Sequence, residues 1–117
     1  MRRLVIEPPA RADIKKIRAY SRRVFGEGAQ QKYGALMQRA FELLCADPQR
    51  ANVQRREDLP RAPYTFHLRH ARLRGVPPNQ PRHIIVFTHD DVTLTILRVL
   101  HDSMDVPAHF GGDEDAG

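Results

Sequence analysis

A chain of 117 residues with 41% hydrophobic side chains supports one two-layer domain; it leaves little room for a second and is too aliphatic for a disordered protein. The net charge is +5, and +8 without Asp113, Glu114 and Asp115 of a Gly-bounded tail, with 16 of the 19 basic residues being arginine. One cysteine, Cys45, excludes an intramolecular disulfide, and no apolar run is long enough for a signal peptide or a membrane span, so a soluble, cytoplasmic protein with no membrane partner is expected.

The first element is a short strand over Arg3–Glu7, ended by Pro8-Pro9, since proline lacks the N–H that a ladder needs. From Ala10 the period becomes helical: Ile14, Ile17, Ser21 and Val24 share a face with Tyr20 beside them, and Gly26 suits the helix end. Glu27-Gly28 is a tight connection, which predicts an antiparallel second helix over Ala29–Ala46 with Tyr33, Leu36, Ala40, Leu43 and Leu44 on one face. Cys45 falls inside that pattern and should be buried. Asp47-Pro48 stops the helix, and a long connection, Gln49–Pro63, follows with Arg50, Arg55, Arg56 and Arg61.

Three strands complete the chain: Tyr64–Leu73, His83–Thr88 and Val92–His101. A loop holding Gly75, Pro77, Pro78 and Pro81 joins the first pair, and His89-Asp90-Asp91 signals a hairpin between the second. Val92, Leu94 and Ile96 share one face of the last strand, and Leu97 and Val99 make its other face apolar, as in a central strand. The order β-α-α-β-β-β describes an α+β domain, an N-terminal helical hairpin packed on a small, mainly antiparallel sheet. Residues 1–110 form the single domain, and 111–117 an acidic, disordered tail.

The arginine excess has two readings: a polyanionic partner, either nucleic acid or an acidic protein segment, or the codon preference of a GC-rich genome. Of the six histidines, His67 and His70 stand three apart on an expected strand and so face opposite ways, and no cysteine or acidic spacing supports a metal. No metal site and no cofactor is expected. His101, Asp102 and Ser103 are consecutive and cannot converge as a catalytic triad, and Gly26-Glu27-Gly28 follows a helix and lacks the third glycine of a nucleotide loop. A helix-turn-helix reader of DNA would place Arg18, Arg22, Arg23, Lys32 and Arg39 on phosphates, but such a reader does not require the three strands that follow. The remaining basic cluster is Arg69, His70 and Arg72 on one strand with Arg98 and His101 on the last. Arg98 shares parity with Leu94 and Ile96, at the rim of the core face. It suits either an internal ion pair or a basic groove for a phosphate or an acidic peptide.

Taken together, the opening strand, Ala12-Asp13-Ile14 with Ile17 and Tyr20, Gly26 and Ala29 with Tyr33, Asp47-Pro48, the closing Ile96-Leu97-Arg98-Val99-Leu100-His101, and Met104-Asp105 with His109 resemble the RelE/ParE toxin superfamily, its ParE branch above all. The closing segment is the most specific part. The resemblance implies a helical hairpin on a small antiparallel sheet, and a toxin that poisons DNA gyrase by binding, without catalysis. It also implies a cognate, ParD-like antitoxin whose partly disordered segment wraps the toxin, with promoter DNA bound only through the toxin–antitoxin complex. The surfaces meeting target or antitoxin would include Arg55, Arg56, Arg69, His70, Arg72, Arg98, His101 and Met104.

RelE-type relatives instead cut messenger RNA on the ribosome, which here would require His101 as acid/base with Arg98 and Arg69 on the phosphate. The sequence departs from that pattern: its lysines all lie in the helices, no tyrosine follows Tyr64, and Asp102-Ser103 stands where those enzymes tend to place an arginine. The loop Arg74–Arg82 is also longer than a minimal ParE needs.

Overall fold

A computed structural model describes residues 1–72, 81–104 and 106–108. The Gly/Pro-rich loop with Gly75, Pro77 and Pro78, as well as Asp105, His109 and the tail 111–117, lie outside the described residues.

Strand β1 (Arg3–Ile6) leads through Glu7 into helix α1 (Pro8–Phe25). Pro8 and Pro9 occupy the first positions of α1, where their missing N–H groups cost nothing. Gly26 alone separates α1 from α2 (Glu27–Ala46). Its φ of 96° is open only to glycine without strain, while a Cβ there would meet nothing, so the requirement is conformational and not one of space. The turn is thus tighter than expected, and α2 begins two residues earlier.

The sheet has the order β1-β5-β4-β3-β2, formed by β2 (Gln54–Arg55), β3 (Tyr64–His67), β4 (His83–His89) and β5 (Thr93–His101). Only β1 runs parallel, pairing Arg3 with Thr93 and Ile6 with Ile96; every other neighbour is antiparallel. The helical hairpin on a mixed sheet is the α+β architecture expected from the sequence. Strand β5 is central, as its apolar faces predicted.

Several details differ. The expected strand from Tyr64 stops at His67, where a 3-10 turn (Leu68–His70) takes over. Its cause is local: the Arg69 N–H donates to His67 Nδ1 at 3.0 Å, a side chain-to-backbone bond that competes with the ladder. The connection Gln49–Pro63 is not structureless. It contributes β2, closed by the Arg56 N–H on the Pro63 carbonyl at 2.7 Å, with Arg61 and Ala62 both in the left-handed region at the bend.

In β5, Val86 pairs with Arg98 and Phe87 with Ile96, so Leu97 is the extra residue of a β-bulge. The bulge reverses the parity read from the sequence. Leu94, Ile96 and also Val99 pack beneath the helices with Leu36, Ala40, Leu44, Phe66, Ile85 and Phe87. Leu97 and Leu100 face the other way with Val86, covered by Leu59 and Val106. Val99 therefore belongs to the main core, and Arg98 pairs with a residue of the second cluster instead of sharing the side of Leu94 and Ile96. Val92, expected on the core face, precedes the strand and is 70% exposed. Cys45 is buried, and burial pushes its thiol up against the opposing pull of the N-terminal ammonium and Arg2. Among the described residues no helix is long and apolar enough to cross a membrane.

Candidate partner-binding groove

Past the end of β1, β5 has no strand on that side among the described residues, and Asp13 of α1 closes the gap. Its Oδ2 accepts the Val99 N–H at 3.0 Å, and its carboxylate takes two guanidinium donors of Arg98 at 2.7 and 3.0 Å. The pair is mostly buried, with side chains 15% and 12% exposed. The internal ion pair weighed for Arg98 is the one that forms, with a partner 85 residues away. A bidentate arginine clamp on a carboxylate that also caps a backbone amide fixes where the first half of α1 sits.

The second half of α1 stands over a groove of about 500 Å³ between the helical hairpin and the far ends of β4 and β5. Ile17, Tyr20 and Phe25 of α1, Tyr33 of α2, His83 of β4, and His101 and Met104 at the end of β5 line it. Tyr20 is 53% exposed, Phe25 61% and Met104 40%, so the mouth of the groove is apolar and open. Tyr20 and Phe25 meet edge to face at 6.4 Å, and the Arg23 guanidinium lies 5.7 Å from the centre of the Tyr20 ring.

The polar groups deeper in the groove are engaged with one another. The Arg82 N–H donates to the Tyr33 oxygen at 3.1 Å, and the Tyr33 hydroxyl also meets His83 Nδ1 at 2.6 Å. Burial raises the Tyr33 pKa, and burial together with the nearby His101 lowers that of His83 to about 4, so this pair is neutral at pH 7. The His83 and His101 rings meet edge to face at 5.3 Å. Both the N–H and the hydroxyl of Ser103 reach His101 Nδ1, at 3.1 and 2.7 Å. Because a backbone N–H can only donate, Nδ1 is the acceptor and the neutral ring carries its proton on Nε2.

A second chain of bonds runs alongside. His67, whose Nδ1 accepts from the Arg69 N–H, meets Asp102 Oδ2 through Nε2 at 3.0 Å, and Arg82 Nε donates to Asp102 Oδ1 at 3.2 Å. Burial would raise the Asp102 pKa, but the His67 bond and the Arg82 charge outweigh it and hold the carboxyl below its ordinary range.

The residues singled out from the sequence are scattered by this geometry. His101 and Met104 share the groove. Arg69 and His70 lie on the 3-10 turn and Arg72 just beyond it; burial, with the Arg69 and Arg72 guanidinium groups close by, lowers the His70 pKa. His67 and His70, expected on opposite faces of one strand, have ring centres 6.4 Å apart because the turn brings them to the same corner. Arg55 lies over the Tyr64 ring at 5.5 Å and near Glu57 at 3.6 Å, and Arg56 forms a two-bond pair with Asp58 at 2.8 and 2.9 Å. Arg98 is committed to Asp13. Tyr33, His83, Phe25 and Arg82 were not among the residues expected to meet a partner. Phe25 had a signal, an aromatic residue directly before the glycine stop, but nothing in the spacing joins Tyr33 to His83, 50 residues on. Among the described residues, no three His, Cys, Asp or Glu side chains are grouped to hold a metal ion.

Compared with known families, residues 4–106 match the model described as ParE toxin of type II toxin-antitoxin system, parDE. No individual curated protein matches the chain.

Proposed function

The chain belongs to the ParE toxin family and is the toxin of a type II toxin–antitoxin system, with a cognate antitoxin implied; from that premise we propose that it inhibits DNA gyrase by binding and not by catalysis. The antitoxin is ParD-like and competes for, or covers, the groove under the second half of α1. Tyr20, Phe25 and Met104 supply exposed apolar area of the kind that marks binding hot spots, and His101 and Arg82 supply a polar rim.

The observation that supports this reading is the commitment of Arg98 to Asp13. A phosphate clamp built from Arg98, Arg69 and His101 would need that guanidinium beside His101, and breaking the pair would leave the buried Asp13 carboxylate without its cation. With Arg98 held there, and His101 Nδ1 occupied by Ser103, the groove offers shape and apolar contact.

The test is supercoiling and DNA cleavage by purified gyrase with the antitoxin-free toxin added at increasing concentration. Inhibition with trapped, cleaved DNA is the expected result, reduced by Phe25→Ala. Unaffected gyrase together with ribosome-dependent mRNA cleavage that disappears in His101→Ala would replace this reading by the nuclease one.

A further inference from the structure

The arginines of this chain fall into two populations. Of the four in the Gln49–Pro63 connection, Arg50 lies over the Phe66 ring at 5.9 Å and the other three are answered by carboxylates, Arg55 by Glu57, Arg56 by Asp58 and Arg61 by Glu7. Those of α1 are not. Arg11, Lys15, Arg18 and Arg22 follow one another at steps of four, three and four along one helix face, with Arg23 beside them. Among the described residues, none of these five is in an ion pair with a carboxylate. The one acidic side chain of α1, Asp13, is already taken by Arg98.

Helix electrostatics do not account for the row. Arg22 and Arg23 in the last turn complement the helix dipole, but Arg11 stands in the first turn, which holds no acidic residue and where a cation is disfavoured. The five cations line an open groove of about 730 Å³ on the side of α1 that includes Ile6, Ile14 and Ala19. Arginine stems can lie over such an apolar floor; the Arg11 Nε donates to the Ile6 carbonyl at 3.1 Å, and the Arg18 guanidinium passes beside Gly34, where no side chain blocks it.

We propose that this row is a docking surface for the phosphate backbone of duplex DNA, touched by the toxin itself and without sequence selection. Arg11 to Arg22 spans about 16 Å at the rise of an α-helix. Over that axial length one DNA strand carries about five phosphates. An acidic peptide matches the row less well: a helix offers one carboxylate per turn to a given face, roughly three over the same length. An extended segment turns every second side chain away. The contact goes beyond the antitoxin-borne promoter contact implied by the family and needs neither gyrase nor antitoxin.

The experiment is anisotropy of a short labelled duplex of arbitrary sequence titrated with full-length, antitoxin-free toxin. Binding should weaken on the order of 10²-fold between about 50 and about 200 mM salt, as four or so phosphate contacts require. The double variant Lys15→Glu/Arg22→Glu should bind at least about tenfold more weakly than the parent, while Arg55→Glu, whose charge is already paired, should bind within about twofold of it. Circular dichroism of each variant confirms that the helices are retained. Absent binding at low salt, a salt slope near zero, or equal losses in the double variant and Arg55→Glu would each overturn the proposal. Tighter binding of poly-glutamate than of DNA would overturn it in favour of an acidic peptide. The measurement contains no gyrase, so its failure leaves the gyrase reading standing, and the supercoiling assay can fail without touching this result.

Discussion

The first half of α1 and its second half are held to the sheet in different ways. Along the first half, Ala10 is fully buried and Asp13 is bonded to both the side chain of Arg98 and the backbone of Val99. Along the second half only Ser21 is buried, and Tyr20, Val24 and Phe25 remain about half exposed or more. One helix thus combines an anchor, whose polar groups are satisfied within the chain, with an arm whose apolar groups are not. The contrast separates residues that make the fold from residues that a second protein would cover, and it can be broken from either side.

The largest effect belongs to the anchor. Asp13→Ala removes the carboxylate that clamps the buried Arg98 and the acceptor of the Val99 amide, and should cost about 3–5 kcal/mol in urea or thermal unfolding. A loss below about 1 kcal/mol would mean that solvent already screens the pair. Replacing both partners, as in Asp13→Leu/Arg98→Met, should recover much of the loss, since the uncompensated charge goes with its partner.

Beneath the arm, the effect is pH-dependent. The pKa of His83 is about 4 in the folded protein, below the ordinary value of 6.5. Between those values the unfolded chain takes up a proton that the folded chain refuses. The stability contributed by neutral His83 is therefore complete above about pH 6.5 and is lost as pH falls toward 4, by on the order of 2–3 kcal/mol. The difference between wild type and His83→Gln in melting experiments at pH 7 and pH 4.5 should shrink accordingly. Parallel curves would show that His83 titrates normally and that the groove is wetter than its hydrogen bonds suggest.

The smallest effect on stability belongs to the arm itself. Phe25→Ala should move the unfolding free energy by no more than about 0.5 kcal/mol, as expected of an exposed position. The same change should weaken binding to gyrase or antitoxin at least about tenfold if Phe25 is an anchor of the interface. A variant that loses stability but not affinity would reverse the roles assigned to the two halves.

What the sequence made legible follows from how local each signal is. The helical hairpin, the first strand and the last hairpin rest on apolar period, proline and glycine, and all of them formed. The reading of Arg98 as half of an internal ion pair also held, because an arginine amid a run of core residues needs a carboxylate. What escaped detection depends on contacts between distant residues or on a shift of one residue. The bulge at Leu97 moved Val99 to the helix side, and no propensity marks it. The bond from His67 Nδ1 ended β3 early. The carboxylates beside Arg55, Arg56 and Arg61, namely Glu57, Asp58 and Glu7, could not be assigned from spacing, while the period of Arg11, Lys15, Arg18 and Arg22 was visible but their lack of carboxylate partners among the described residues was not.

The parallel pairing of β1 with β5 has a consequence for synthesis. Arg3 finds its register against Thr93, and Asp13 finds Arg98, so the contacts that close the sheet and fix α1 join the first strand and helix of the chain to its last strand. Such non-local contacts form late, after the chain entropy of closing a loop of 85 residues has been overcome. On a translating ribosome, β1 and the anchor half of α1 wait without partners until β5 has emerged. A nascent or prematurely terminated chain lacking β5 carries the helical hairpin but neither its anchor nor the strand end where His101 sits, and so cannot assemble the groove. For a protein whose finished form is a toxin, that order of assembly delays the arrival of a competent surface until β5 has been made and paired.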